Sequence, residues 1–411
     1  MSEAIAVETQ TPSASGPGIA GASPSIYKRD FWLVFAATFA LNTAGNLFVL
    51  FPLFIVHLGG GATTIGKVIA TGSAAALLSR PIAPALIDRR GRRWTALRFL
   101  AVNAIGFALY IPIHGLGWPI YAVMALLGVA NGTARVALFA MVYDILPAGR
   151  QGEGMATFSM CGMMPASFAP LVGELILKRL GFSAFFLSAA LACAVAVGAV
   201  MMLADDGARA ARTQSPSGPR ASYRDLIFAP SLLTFWVVTL LAAMAISSRP
   251  SFVAPFAHAQ GVKNVGWYFA LYSIVAVAVR MRGRLMDRVG FERVLAPSLV
   301  ILSIGLGLIS LTGTGGMLYV AAVVGGLGHG FAYPAISAIV IRNTPAGEMG
   351  RASTVYTSVW DISGMAGPYM LGLTAHYLGY APMFIVAGGL AFSAVVYLVL
   401  AAPHTLRRRL A

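Results

Sequence analysis

Twelve apolar runs recur between Phe31 and Pro403, and each approaches the ~20 residues that a helix needs to cross a hydrocarbon core ~30 Å thick. The runs cover 32–57, 64–87, 94–113, 119–143, 153–176 and 182–204, then 229–254, 265–286, 294–313, 317–341, 350–376 and 380–402. In lipid a backbone must satisfy its own N–H and C=O groups, which leaves helices or closed barrels. A barrel would need short alternating strands, and the runs are long and unbroken. The predicted class is therefore an all-α membrane protein of twelve transmembrane helices. Only 10% of residues are charged, against about 25% in a soluble domain, so the lipid bilayer must be the main partner of the surface.

Two stretches fall outside this pattern. Residues 1–27 are rich in Ser, Pro, Gly and Ala and lack the apolar core of a signal peptide, so they read as a disordered cytoplasmic tail. Residues 205–226 read as a flexible cytoplasmic linker between a bundle at 28–204 and a second at 227–403, and 404–411 form a short basic tail.

The formal net charge of +15 invites a nucleic-acid reading, which its distribution rejects. With the N-terminus inside, predicted cytoplasmic loops and helix ends hold 22 of the 29 Lys and Arg, including Arg89, Arg92, Arg280, Arg288 and Arg407. The outer loops hold Lys67, Lys178, Arg179 and Lys263, while Arg80, Arg135 and Arg249 lie inside helices. That is the positive-inside bias, and it predicts a multi-pass inner-membrane protein with both termini cytoplasmic. A nucleic-acid face would be contiguous rather than divided among loops.

The chain also repeats itself at an offset of 198–200 residues. Phe51-Pro52-x-Phe54 answers Arg249-Pro250-x-Phe252, and Asp88-Arg89-x-Gly91 answers Asp287-Arg288-x-Gly290. Gly128, Gly132, Pro147, Gly152, Pro170 and Gly181 answer Gly326, Gly330, Pro345, Gly350, Pro368 and Gly379. Two pseudo-symmetric six-helix bundles follow, and such halves can rock about a central site.

The loop between the second and third runs reads Pro84-Ala-Leu-Ile-Asp88-Arg89-Arg90-Gly91-Arg92-Arg93; its counterpart reads Gly283-Arg-Leu-Met-Asp287-Arg288-Val-Gly290. Glycine permits a tight reversal. A carboxylate at a helix end can pair with arginine or cap a neighbouring helix, and so latch one conformation. A merely topogenic loop would explain the arginines but not the recurrence of Asp-Arg-x-Gly. These residues resemble the signature G-x-x-x-D-R-x-G-R-R of the major facilitator superfamily, with Pro84 at the first glycine and no basic pair after Gly290. The resemblance spans 28–403. It implies the major facilitator fold, alternating access, and a cavity lined by the first, fourth, seventh and tenth helices. Ala169-Pro170-Leu-Val-Gly173-Glu174 is similar to the G-P-x-x-G-G motif of proton-driven exporters in that superfamily, with Ala169 and Glu174 replacing glycines. The family's fourth-helix arginine stands before the Gly128 position, whereas Arg135 follows it.

Charge inside a membrane is costly enough to mark functional candidates, at least ~2.5 kcal/mol per group on insertion scales. Of 14 acidic residues, Glu174 and Asp361 fall inside the runs, and the rest sit at run ends or in loops. Asp361 reads as a proton-coupling carboxyl or as a structural partner of an arginine, with substrate contact as the remaining alternative. Glu174, near the outer end of the fifth run and close to Lys178, reads as solvated or paired, with proton coupling as the alternative. Arg80 lies close enough to the cytoplasmic surface to snorkel there. Asn42 and Asn46, Asn131 and Arg135, His329 and Tyr333 each stand one helical turn apart, and Arg249 joins them from the seventh run. Each alone could make an interhelical hydrogen bond; together they predict a substrate cavity. The arginines favour a carboxylate-bearing or otherwise anionic small molecule.

The functional expectation is a monomeric, proton-coupled exporter without cofactor or metal. A symporter or facilitator importing a metabolite is the alternative. A polytopic enzyme is disfavoured because the six histidines show no i, i+3 or i, i+4 pairing, and Cys161 and Cys193 have neither metal-ligand nor nucleophile spacing.

Overall fold

The computed structural model describes residues 26–147, 150–203, 223–282, 286, 288–313, 315–345 and 348–401. Most of the expected tail at 1–27, most of the linker, and the basic tail at 404–411 lie outside them. Among the described residues helix occurs within each expected run, and seven helical stretches are long and apolar enough to cross a membrane.

The first run is α1 (Arg29–Leu47), a 3-10 turn (Phe48–Leu50) and α2 (Phe51–His57). Pro52 has no N–H to offer the carbonyl of Phe48, and the tighter turn falls where that bond would be. The second run is broken in the same way, into α3 (Ala62–Ser79) and α4 (Ile82–Arg90) around Pro81. Next come α5 (Arg92–Ala108), which ends short of the expected residue 113, and α6 (Trp118–Ile145). The fifth and sixth runs form one helical stretch, α7 (Gln151–Met201), broken at Gly181, whose φ of 78° lies in the left-handed region.

Part of the expected linker is not irregular. Tyr223–Ile227 form a short helix, α8, and Trp236 Nε1 donates to the Leu226 carbonyl at 3.2 Å, tying it to α9 (Pro230–Ala259). The remaining helices are α10 (Gly266–Met281), α11 (Phe291–Ile309), α12 (Gly315–Arg342), α13 (Met349–Leu378) and α14 (Tyr380–Ala401).

Packing repeats with the sequence. Among the described residues six glycines have positive φ, and they form three pairs at corresponding turns: Gly59 and Gly261, Gly91 and Gly290, Gly181 and Gly379. Side chains are disfavoured there because a Cβ crowds the backbone in that region. Small residues set the close helix approaches as well. A Cβ on Gly128 would sit 2.1 Å from the Gly72 carbonyl oxygen, and one on the corresponding Gly326 would sit 2.7 Å from that of Tyr272. So α6 seats on α3 as α12 seats on α10.

Candidate functional site

The first half meets the second through α3 on α13 and α7 on α10. These two seams mirror each other. A Cβ on Gly66 of α3 would lie 2.3 Å from the Pro368 carbonyl oxygen of α13, and one on Gly266 of α10 would lie 3.0 Å from that of Pro170 in α7. Gly66 and Gly266 are repeat mates, as are Pro170 and Pro368. One pair of mates differs sharply. Gly372 packs against the Ala62 carbonyl, whereas its counterpart Glu174 carries a carboxylate. That carboxylate is 8% exposed and accepts the backbone N–H of Val265 at 3.1 Å and of Gly266 at 2.6 Å. It therefore caps α10, where the exposed N–H groups and the positive end of the helix dipole favour an anion. Lys178 pairs with Glu174 at 2.8 Å and also donates to the Asn264 side chain at 3.0 Å and to the Lys263 carbonyl. A cavity of about 1010 Å³ lies beside this latch, lined in part by Leu53, His57, Lys178, Phe182 and His258.

Deeper in the α3–α13 seam, Arg80 Nε meets Asp361 Oδ2 at 2.5 Å. Its other nitrogens donate to the hydroxyl and carbonyl of Thr357 at 2.7 and 2.9 Å. Arg80 was expected to snorkel to the surface; it instead crosses between the halves, because Asp361 offers a counter-charge there. The two side chains stay 29% and 24% exposed, so the pair is within reach of water.

The cavity candidates fall into two groups. In the first half, Asn131 Oδ1 accepts Arg135 Nε at 2.8 Å, Asn46 donates to the Asn42 carbonyl at 2.8 Å, and buried Asn42 donates to the Cys161 carbonyl at 3.2 Å. The Arg135 guanidinium reaches toward α1, where a Cβ on Gly45 would lie 3.9 Å from Nη2.

In the second half, Arg249 stands over the Tyr272 ring at 4.2 Å. Tyr272 neighbours His329 at 5.7 Å, His329 neighbours Tyr333 at 6.0 Å, and Tyr333 neighbours Trp360 at 5.5 Å. Arg280 covers the Tyr333 ring at 5.0 Å. The sequence placed Arg280 at a helix end, and it does lie in the last turn of α10, but its side chain turns inward onto Tyr333 of α12. A signal was present. Tyr268, Tyr272 and Arg280 share one helical face through spacings of four and eight, so Arg280 could have been grouped with the interior. Tyr272 and Trp360 were likewise not singled out as site residues.

Of the loop motif, Gly91 makes the expected reversal, and Arg92 pairs with Asp144 of α6 and donates to the Ala140 carbonyl at 3.1 Å. The mates of Arg92 and Asp144 are Glu292 and Arg342, which pair at 3.2 Å. The bridge is conserved between the halves with its polarity reversed. Asp88 and Arg89 are exposed, as is Arg288 beside Gly290; Gly283 and Asp287 lie outside the described residues.

The sequence pattern of the Major Facilitator Superfamily matches residues 33–282 and 262–411, which together cover nearly the whole chain. The chain belongs to that superfamily. It is a multi-pass membrane transporter with the superfamily's all-α fold. It is similar to the multidrug resistance protein MdtG of Citrobacter koseri, with 25% identity over 402 residues, 94% of this chain and 97% of that one. MdtG of Klebsiella pneumoniae is 23% identical over 392 residues, 91% and 94% of the two chains. Among solved structures, the nucleoside transporter NupG superposes with a TM-score of 0.75 at 13% identity, covering 91% of this chain and 99% of that one. A peptide transporter of the POT family bound to sulfate gives 0.75 at 15% identity, with 93% and 95% covered. Both solved structures share the fold with this chain.

Proposed function

We propose that this transporter exports a small, anionic or carboxylate-bearing molecule across the inner membrane by proton-coupled alternating access. Residues 28–204 and 227–403 move as two bodies, the termini face the cytoplasm, and one chain suffices. The observation that carries this reading is the pair of mirrored seams. Packing on Gly66 and Gly266, with one Glu174 latch, is a joint that can part as a unit, and parting it would open the opposite face of a cavity. The MdtG relatives are named for multidrug resistance, which supports export as the direction.

The cations within the helices support an anionic cargo. Arg80 is neutralised by Asp361, but Arg135, Arg249 and Arg280 have no carboxylate partner among the described residues. An uncompensated guanidinium in an apolar body is costly, and a bound anion removes that cost. Asp361 suits the coupling role. Protonating it would release Arg80 and loosen the deeper seam, which ties proton uptake to a conformational step.

Everted membrane vesicles with an acidic interior test the proposal. Adding an exported compound should dissipate the pH gradient, followed by a quenched acridine dye, and Asp361→Asn should abolish that response while leaving exchange of compound across unenergised membranes. Gradient-driven transport surviving in Asp361→Asn removes this carboxylate from coupling. Alkalinisation of the medium by intact cells on substrate addition would replace export with symport.

A further inference from the structure

The second-half cluster holds more unmet polar chemistry than a transport wall requires. Both ring nitrogens of His329 are buried without a hydrogen-bond partner, as are Nε of Arg249 and Nε of Arg280. Neutral imidazole offers one donor and one acceptor, and each guanidinium Nε one donor. Leaving any of these unmet in an apolar interior is unfavourable, so four such atoms along one aromatic column mark a place where a partner is missing. The column is built by four helices: Arg249 from α9, Tyr272 and Arg280 from α10, His329 and Tyr333 from α12, and Trp360 from α13. The aromatic faces are not all closed. Tyr333 is 38% exposed although its helical neighbours Ala332 and Ala335 are buried at 2% and 0%.

We infer that this column is a binding site for planar aromatic carboxylates, with the ring against Tyr333 and Trp360 and the carboxylate held by Arg280 and His329. Guanidinium supplies directional donors to carboxylate oxygens, and an aromatic wall favours a flat ring over an alkyl chain. Arg249, packed over Tyr272, adds positive potential at the far end of the column. The inference rests on the exporter reading only in placing the site on the transport route; binding itself needs no gradient and no direction.

The test uses the full chain in lipid nanodiscs and equilibrium binding of three probes: 2-naphthoate, its neutral isostere 2-naphthamide, and octanoate. Naphthoate should bind at least about tenfold more tightly than either other probe, the scale of one charge-assisted hydrogen bond. Arg280→Gln should weaken naphthoate about tenfold to a hundredfold and leave naphthamide within about twofold. Arg280→Lys should recover part of the loss, and Trp360→Leu should weaken both ring compounds. Equal affinity of the wild-type protein for naphthoate and naphthamide would overturn the inference, as would unchanged naphthoate binding in a folded Arg280→Gln protein. If Arg280→Gln does not fold, the wild-type probe ratio still decides. Gradient-driven export of other compounds without naphthoate binding would sink this inference alone, while naphthoate binding without gradient-driven transport would sink only the exporter reading.

Discussion

Replacing Glu174 by Gln should part the α7–α10 seam, and the structure sets the size of the effect. The carboxylate accepts two backbone N–H groups at the start of α10 and pairs with Lys178. Glutamine keeps one acceptor oxygen but turns an NH₂ toward the second N–H. The change therefore loses a charge-assisted hydrogen bond of ~1.5–3 kcal/mol and a dipole interaction of ~0.3–1 kcal/mol. The pair with half-exposed Lys178 adds less than ~1 kcal/mol. A total of roughly 2–4 kcal/mol shifts the equilibrium between joined and parted seams by about 30- to 1000-fold. Spin labels at Trp118→Cys and Leu311→Cys, both exposed and placed in different halves at this end of the bundle, report the separation. With Cys161→Ser and Cys193→Ala as background, electron–electron resonance in nanodiscs should show a longer-distance population growing in Glu174→Gln. An unchanged distance distribution would mean that the capped helix does not hold the halves together, and the latch argument would fail.

Three further outcomes follow from neighbouring contacts. Gly66→Val should open the same end, since even its Cβ would collide with the Pro368 backbone; the same labels should lengthen, and Gly61→Val, which meets nothing within 4 Å, should leave them unchanged. Arg80→Gln should lower stability by about 1–2 kcal/mol, a value discounted for the pair's partial exposure, and adding Asp361→Asn should recover most of it in thermal unfolding. Exchanging Arg92 and Asp144 as Arg92→Glu with Asp144→Arg reproduces the polarity of Glu292 and Arg342; the double variant should unfold within about 2 °C of wild type while each single change falls several degrees lower, and a double variant no better than the singles refutes the shared bridge.

Much of this architecture was legible in the chain itself. The hydrophobic runs located the helices because lipid leaves few alternatives, and the repeat was visible because the turns and close contacts that demand glycine recur with it. The loop arginines were less informative: Arg92 and Arg89 look alike in sequence, yet one bridges to Asp144 and the other is exposed. The directions of the Arg80 and Arg280 side chains escaped the sequence for one reason. Each stands near a helix end, where sequence cannot distinguish a side chain that reaches outward to water from one that turns inward to a carboxylate or a ring.

The sequence by itself determined that the protein spans a membrane as helices and is built twice over, since hydropathy and recurring glycines are local properties that survive without knowledge of neighbours. Only the tertiary structure decided which charges matter. Asp361 meets Arg80 across 281 positions of chain, Glu174 meets the start of α10 across more than 90, and Arg280 meets Tyr333 from another helix. The energy of a charge in an apolar medium depends on what lies within a few ångströms, and that distance is fixed by packing rather than by order along the chain.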